Sequence, residues 1–82
     1  MGSEEFLNIC KGKVAEYSTE NGTEVTPGEI FVVWYCKTLQ NHKALLSTPQ
    51  PDGMYFELTY NGDKTELYFD AYKKQENICF NI

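Results

Sequence analysis

Two glutamates and several tyrosines lie close together in one stretch of this chain, where their spacing predicts a shared face of a β-hairpin. Within residues 54–70, Asn61 and Gly62 separate two runs of alternating character, and Asn-Gly favours a two-residue type I′ turn. With this turn, Glu57 lies opposite Glu66 across the hairpin. Two carboxylates so placed could share a proton, and one of them could then act as a general acid or base. Alternatively, the pair could bind a basic group.

The same turn places tyrosines beside the glutamates and apolar side chains on the other face. Tyr55 then lies opposite Tyr68. Like charges directly opposite each other weaken a sheet, and tyrosine is enriched at protein interfaces. A face that carries both the opposed glutamates and the tyrosines indicates a binding surface. The alternatives are a face exposed to solvent and a face covered by another element. The predicted protein-binding residues are Tyr55, Glu57, Glu66, Tyr68, Asp70 and Tyr72.

The remaining reactive residue types form no catalytic or metal motif. His42 is the single histidine and falls in a predicted turn, where we expect a solvated loop residue. Cys10, Cys36 and Cys79 are widely separated and lack a CxxC pair, which predicts buried free thiols in a reducing compartment rather than disulfides or a zinc site. We therefore expect a protein that is not an enzyme and holds no metal or cofactor.

The charged residues argue against nucleic acid as a partner. The net charge is −5, and all seven basic residues are lysine. Arginine supplies the planar fork that grips phosphate and guanine, so its absence disfavours nucleic-acid recognition. An acidic surface suits a basic protein partner, although excess charge also aids solubility by itself. We expect no membrane span and no secretion signal, because long apolar runs are absent. We expect a cytoplasmic location, because free thiols are typical of a reducing compartment.

The elements that position the hairpin are predicted as one helix followed by strands. Apolar residues recur at helical spacing within residues 3–20, which predicts an amphipathic helix, and Asn21-Gly22 is typical of its end. This helix is expected to dock on the apolar face of the hairpin. The residues that define these two apolar surfaces are Phe6, Leu7, Cys10, Val14 and Tyr17 on the helix, and Met54, Phe56, Leu58, Leu67 and Phe69 on the hairpin.

The strands are predicted to form an antiparallel meander. The apolar run within residues 29–38 lacks clean alternation, so we expect a central strand with Trp34 in the core. The other predicted strands are residues 43–48, 54–60 and 63–70, with a short helix near residues 71–77 and a last strand at 78–82. The prediction is thus an α+β fold in which a single domain, residues 1–82, packs its N-terminal helix on a sheet of four to five strands.

Four segments carry a resemblance to a known group of proteins. They are Val32–Asn41, Lys43–Thr48, Asp52–Lys64 and Leu67–Lys74, and they resemble a family of small uncharacterised phage and prophage proteins of Gram-positive bacteria. The resemblance covers roughly residues 30 to 77. It implies a bacterial cytoplasmic setting and no assigned active site.

Three functional hypotheses follow. The first is a phage or prophage accessory protein that binds, and thereby inhibits, a host protein through its acidic, tyrosine-rich face. The second is a small-ligand protein that sequesters a nucleotide, for which Trp34, Tyr35 and Lys73 would supply stacking and charge. The third is a structural homodimer formed through a sheet edge or this same face. DNA mimicry would need a longer row of carboxylates than the hairpin carries.

Overall fold

A computed structural model describes all 82 residues and consists of one α-helix packed on one antiparallel sheet. The four strands lie in sequence order, so the sheet is a simple meander. The predicted α+β architecture is confirmed, with four strands. The elements are α1 (Ser3–Glu20), a 3₁₀ turn (Pro27–Glu29), β1 (Phe31–Thr38), β2 (Asn41–Ser47), β3 (Met54–Asn61) and β4 (Glu66–Lys73).

Helix α1 has the predicted bounds and packs its apolar stripe on the predicted face of the sheet. It ends at Glu20 with Asn21 as its C-cap, and Gly22 follows with a φ of +86°, a left-handed conformation that glycine adopts without strain. The Thr23 amide then donates to the Ser18 carbonyl over 2.8 Å, which closes the last turn. The core between helix and sheet consists of Phe6, Cys10, Val14, Ala15, Val25, Ile30, Ala44, Leu46, Phe56 and Leu58.

Strand β1 is an edge strand, which corrects the prediction of a central one. A β-bulge at Val33 separates the pairs Val32–Leu46 and Trp34–Leu45. The extra residue interrupts the alternation of side chains between the two faces. The sequence of β1 therefore reads as a continuous apolar run, which is also typical of a strand covered on both faces. Trp34 is consequently 41% exposed rather than part of the core.

The β3–β4 hairpin has a longer loop than Asn-Gly predicts. Asn61 pairs with Glu66, so residues 62–65 form the loop and the register differs by four residues from the predicted one. The Asn61 side-chain oxygen accepts hydrogen bonds from the amides of Asp63 (3.1 Å) and Lys64 (3.3 Å), and Thr65 takes a positive φ of 50°. The predicted type I′ turn is therefore wrong, because an asparagine-capped loop replaces it.

The residues after β4 also differ from the prediction. Residues 71–73 extend β4, and residues 74–82 form neither the predicted short helix nor the predicted last strand. The Lys74 amide donates to the Gly53 carbonyl over 2.8 Å, which keeps the chain extended where a helix would have to begin. Nowhere does the fold contain a helix with both the length and the apolar character needed to cross a bilayer.

Candidate functional site: the open face of the sheet

The sheet has one face that the helix does not cover, which we call the open face. Because side chains alternate along a strand, residues next to the buried Ala44, Leu46, Phe56 and Leu58 point away from α1. The strand register arranges the open face in three rows that cross β1 to β4 in order: Phe31, Ser47, Tyr55 and Tyr72; Trp34, Leu45, Glu57 and Asp70; and Cys36, Lys43, Thr59 and Tyr68.

All six side chains predicted for the binding surface lie on the open face, although their pairing differs from the prediction. Tyr55 pairs with Tyr72 rather than Tyr68, and Glu57 pairs with Asp70 rather than Glu66. The shift of four residues is an even number, so each side chain stays on its predicted face while its partner changes.

Carboxylates still oppose each other at the centre of the open face. Glu57 and Asp70 are direct cross-strand partners. On the other side of Glu57, the Lys43 Nζ atom lies 3.6 Å from its Oε2 atom, in an ion pair that leaves Asp70 without a cation. The open face thus carries an unbalanced negative charge beside its tyrosines, and a positively charged group of a partner would balance it.

The carboxylates perturb both tyrosines of β4. The Tyr68 Oη atom donates to Glu66 Oε1 over 3.0 Å, and this hydrogen bond raises the pKa of the Tyr68 hydroxyl above its usual value. The negative charge of Asp70, and then that of Glu57, raises the pKa of the Tyr72 hydroxyl. Both tyrosines are about half exposed, so a partner can reach their rings and hydroxyl groups.

The half of the open face on β1 and β2 carries a cluster of apolar side chains, which the sequence did not reveal. Phe31, Val33 and Trp34 are exposed at its edge, and Leu45 lies between Trp34 and Glu57. The broken alternation of apolar residues in β1 was the available signal, because it is typical of a bulged edge strand as well as of a buried central strand. The open face therefore combines an apolar cluster on β1 and β2 with an acidic, tyrosine-rich half on β3 and β4.

A shallow depression of about 410 Å³ lies at one corner of the open face. It is lined by Leu45, Tyr55, Tyr72, Lys73 and Lys74. Of the three residues predicted to bind a nucleotide, Lys73 alone lines this depression.

The other two predicted nucleotide contacts lie elsewhere. Trp34 is on the open face of β1, at the opposite edge of the sheet from Lys73, and Tyr35 is on the face covered by α1. The structure does not bring Trp34, Tyr35 and Lys73 together, because adjacent residues of a strand point to opposite faces.

His42 is buried beneath the helix, which corrects its prediction as a solvated loop residue. It belongs to β2 and is only 2% exposed. Its Nδ1 atom and the Tyr35 Oη atom share a hydrogen bond of 2.6 Å, and its ring stacks on Phe6 at a centroid distance of 5.0 Å. His42 is thus a hydrogen-bonded core residue, and no three His, Cys, Asp or Glu side chains anywhere in the fold are grouped to hold a metal ion.

The three cysteines are free thiols, but only Cys10 is buried as predicted. Burial raises the pKa of the Cys10 thiol to about 12. Cys36 lies exposed on the open face of β1, and Cys79 is exposed after β4. The prediction for these two was wrong because β1 is an edge strand and residues 74–82 do not pack on the core.

Comparison with known proteins gives a family but no function. No curated protein and no solved structure matches the chain. A protein-family match extends from residue 7 to residue 82, and so includes most of α1, the whole sheet and the residues after β4. The chain therefore belongs to DUF6275, a family of unknown function.

Proposed function

We propose that this chain is a non-enzymatic binding protein that captures another protein on the open face. The observation that carries the proposal is the convergence of exposed aromatic side chains and an unbalanced carboxylate on the one sheet face that α1 leaves uncovered. Contiguous exposed apolar surface next to polar side chains is typical of protein-interaction sites. The net charge of −5 favours a partner with a basic contact surface.

The resemblance to phage and prophage proteins extends this proposal to a biological setting. We propose an accessory protein that acts in the bacterial cytoplasm, binds a host protein in a fixed ratio and thereby inhibits it. A stoichiometric inhibitor needs a contact surface and no catalytic group. The open face provides such a surface within an 82-residue chain.

The test is a capture experiment from a Gram-positive bacterial lysate with matched variants. The double variant Tyr55→Ala with Tyr72→Ala removes the paired tyrosines at one corner of the open face. The control Ile9→Ala removes an exposed apolar side chain from α1, away from that face. We expect a stoichiometric partner that the intact protein and Ile9→Ala retain and the double variant loses. The interaction of the purified pair should weaken as salt rises.

Two results would count against this proposal. Equal capture by the double variant would move the contact to another surface, and no capture by the intact protein would remove the evidence for a protein partner. Titration of the purified partner then gives the binding ratio. A ratio well below one would be incompatible with inhibition by simple occupancy of the partner.

A nucleotide-binding role is the second candidate, favoured by the depression in which two tyrosines adjoin Lys73 and Lys74. Aromatic rings can stack on a base, and lysine attracts phosphate. A panel of nucleotides tests it by thermal unfolding, because a ligand at a hundred times its Kd adds about 2.7 kcal/mol of stability. An unchanged unfolding temperature with every nucleotide would eliminate this candidate.

A further inference from the structure

The two edges of the sheet differ in how well they are protected against pairing with another strand. An edge strand presents unpaired N–H and C=O groups, and proteins commonly block it with a bulge, a proline or charged side chains. Edge strand β1 carries the bulge at Val33. Edge strand β4 pairs with β3 without a register shift over all eight of its residues.

Nothing else in the chain covers the free edge of β4. The strand contains no proline, and its charged residues are Glu66, Asp70 and Lys73. A strand that pairs with this edge must therefore place uncharged or basic side chains opposite Glu66 and Asp70. Residues 74–82 form no strand. The backbone hydrogen bond of Lys74 goes to Gly53 rather than along the edge. The outward-facing amides and carbonyls of β4 are therefore available for a further strand.

We propose that this strand is β4 of a second copy, paired antiparallel about a two-fold axis at Phe69. In this register, Tyr68 lies opposite Asp70 of the second copy, and Glu66 lies opposite its Tyr72. Both contacts occur twice because the interface is isologous. The Tyr68 hydroxyl already donates to Glu66 of its own chain, so the register is favoured because each carboxylate of the β4 open face lies opposite a neutral tyrosine rather than another carboxylate.

The side of β4 that faces α1 is compatible with the same register. Phe69 meets Phe69 of the second copy at the axis, and Leu67 meets Ala71. Helix α1 reaches β4 through Tyr17, whose ring centroid is 5.1 Å from that of Phe69. The apolar pairs would therefore extend the existing core across the interface.

Neighbouring registers are worse on electrostatic grounds. An axis at Asp70 would place two Asp70 side chains directly opposite each other, and an axis at Tyr68 would place Glu66 opposite Asp70. Like charges directly opposite are destabilising in a sheet. A two-fold axis midway between two residues would place side chains of opposite faces against each other. Directly opposite side chains of an antiparallel pair must lie on the same face, so the axis must pass through a residue position. Of these three axes, only the one at Phe69 keeps every carboxylate of β4 opposite a neutral side chain.

The association would join two four-stranded sheets into one continuous sheet with a doubled open face. It does not depend on the protein partner proposed above, so each proposal can fail without the other. An edge of eight residues is smaller than a standard protein interface. The dimer should accordingly form reversibly as the protein concentration rises.

Sedimentation over a concentration series tests the association. The variant Tyr68→Glu places a carboxylate opposite Asp70 at two symmetric positions and should raise the dimer dissociation constant roughly tenfold or more. The control Val33→Glu adds the same charge at the β1 edge and should leave dimerisation unchanged. A protein that stays monomeric at every concentration would overturn the proposal. Equal weakening by both variants would show only a general effect of charge, and would also overturn it.

Disulfide trapping tests the register independently of stability. In a background with Cys36→Ser and Cys79→Ser, one chain carries Glu66→Cys and another carries Tyr72→Cys. The mixture should form a covalent dimer on oxidation, because the two positions are direct cross-strand partners in the proposed register. Each variant alone should not, because its two cysteines would lie six residues apart, about 20 Å along the strand. Equal cross-linking of the single variants and the mixture, or none in the mixture, would refute this register.

Discussion

Glu57 and Asp70 lie directly opposite each other at the centre of a sheet face that no other element covers. Lys43 approaches Glu57 to 3.6 Å but leaves Asp70 without a partner. A cross-strand pair of carboxylates works against the stability of the sheet, so folding alone gives no reason for its presence.

Neutralising this pair should stabilise the protein. Asp70→Asn removes the repulsion while keeping the size of the side chain, and should raise the free energy of unfolding by about 0.2 to 1 kcal/mol. Denaturant unfolding measures this change. Asp63→Asn, in the loop between β3 and β4, removes the same charge away from the pair and should have a smaller effect. A destabilised Asp70→Asn variant would contradict the repulsion.

Gly62 should be intolerant of any side chain, for a reason that its backbone angle does not reveal. A Cβ atom there would collide with the carbonyl oxygen of Gln40 and would lie 2.7 Å from the Gln40 Cβ atom. Gly62→Ala should therefore cost about 1 to 3 kcal/mol of stability.

The matched control for Gly62→Ala is Gly12→Ala. Gly12 lies in the interior of α1, and nothing would come within 4 Å of its added Cβ atom. The control should stabilise the protein by about 0.5 to 1 kcal/mol, because alanine favours the helix. The two substitutions should therefore shift the thermal unfolding temperature in opposite directions. A shift to higher temperature for both would show that the contact with Gln40 relaxes freely.

Removing the Tyr35 hydroxyl should weaken the core beneath α1. Tyr35→Phe leaves the buried Nδ1 atom of His42 without its 2.6 Å hydrogen bond, and an unsatisfied buried polar group costs about 1 to 3 kcal/mol. Tyr68→Phe removes an exposed hydroxyl bonded to Glu66 and should change stability by less than about 0.5 kcal/mol. Equilibrium unfolding of both variants measures the two changes in stability. Similar losses of stability in Tyr35→Phe and Tyr68→Phe would argue against a special role for the buried Tyr35–His42 pair.

The cysteines should differ in reactivity, and Cys10 should make stability depend on alkaline pH. In the folded protein, iodoacetamide should modify Cys36 and Cys79 rapidly, and Cys10 only on unfolding. Mass spectrometry counts the modified sites, and rapid native modification of Cys10 would contradict its burial.

The alkaline effect has a defined sign. The folded state holds the Cys10 proton up to a pKa of about 12, whereas the unfolded thiol loses it near its ordinary pKa of 9.0. The contribution of Cys10 to stability is therefore complete below pH 9 and is lost as pH rises towards 12. Cys10→Ala should show a shallower loss of stability over this window than the parent protein, and identical slopes would rule out this linkage.

Sequence periodicity predicted the helix and the faces of the strands well. The stripe within residues 3–20 gave α1 its observed bounds, and alternation placed Tyr55, Glu57, Tyr68 and Asp70 on the correct face. Both patterns depend on the backbone geometry of a single segment, which the order of residues specifies directly. The α+β class and the side of the sheet that α1 covers follow from these two patterns.

Contacts between segments decided the rest. The Gly62 amide donates to the Asn41 side chain over 3.1 Å, and Gly62 lies against Gln40, so the turn between β1 and β2 helps to shape the loop between β3 and β4. That contact joins residues far apart in sequence, and a local Asn-Gly preference carries no information about it.

The same distinction explains the errors at β1 and His42. Local composition shows that a segment is a strand, but neighbouring strands decide whether it is central or at an edge, and the helix decides which residues it buries. The chain by itself therefore determined its elements and their faces, through period and propensity. Tertiary packing decided the register of the carboxylate pair, the exposure of Trp34 and the burial of His42, because each depends on which segments meet.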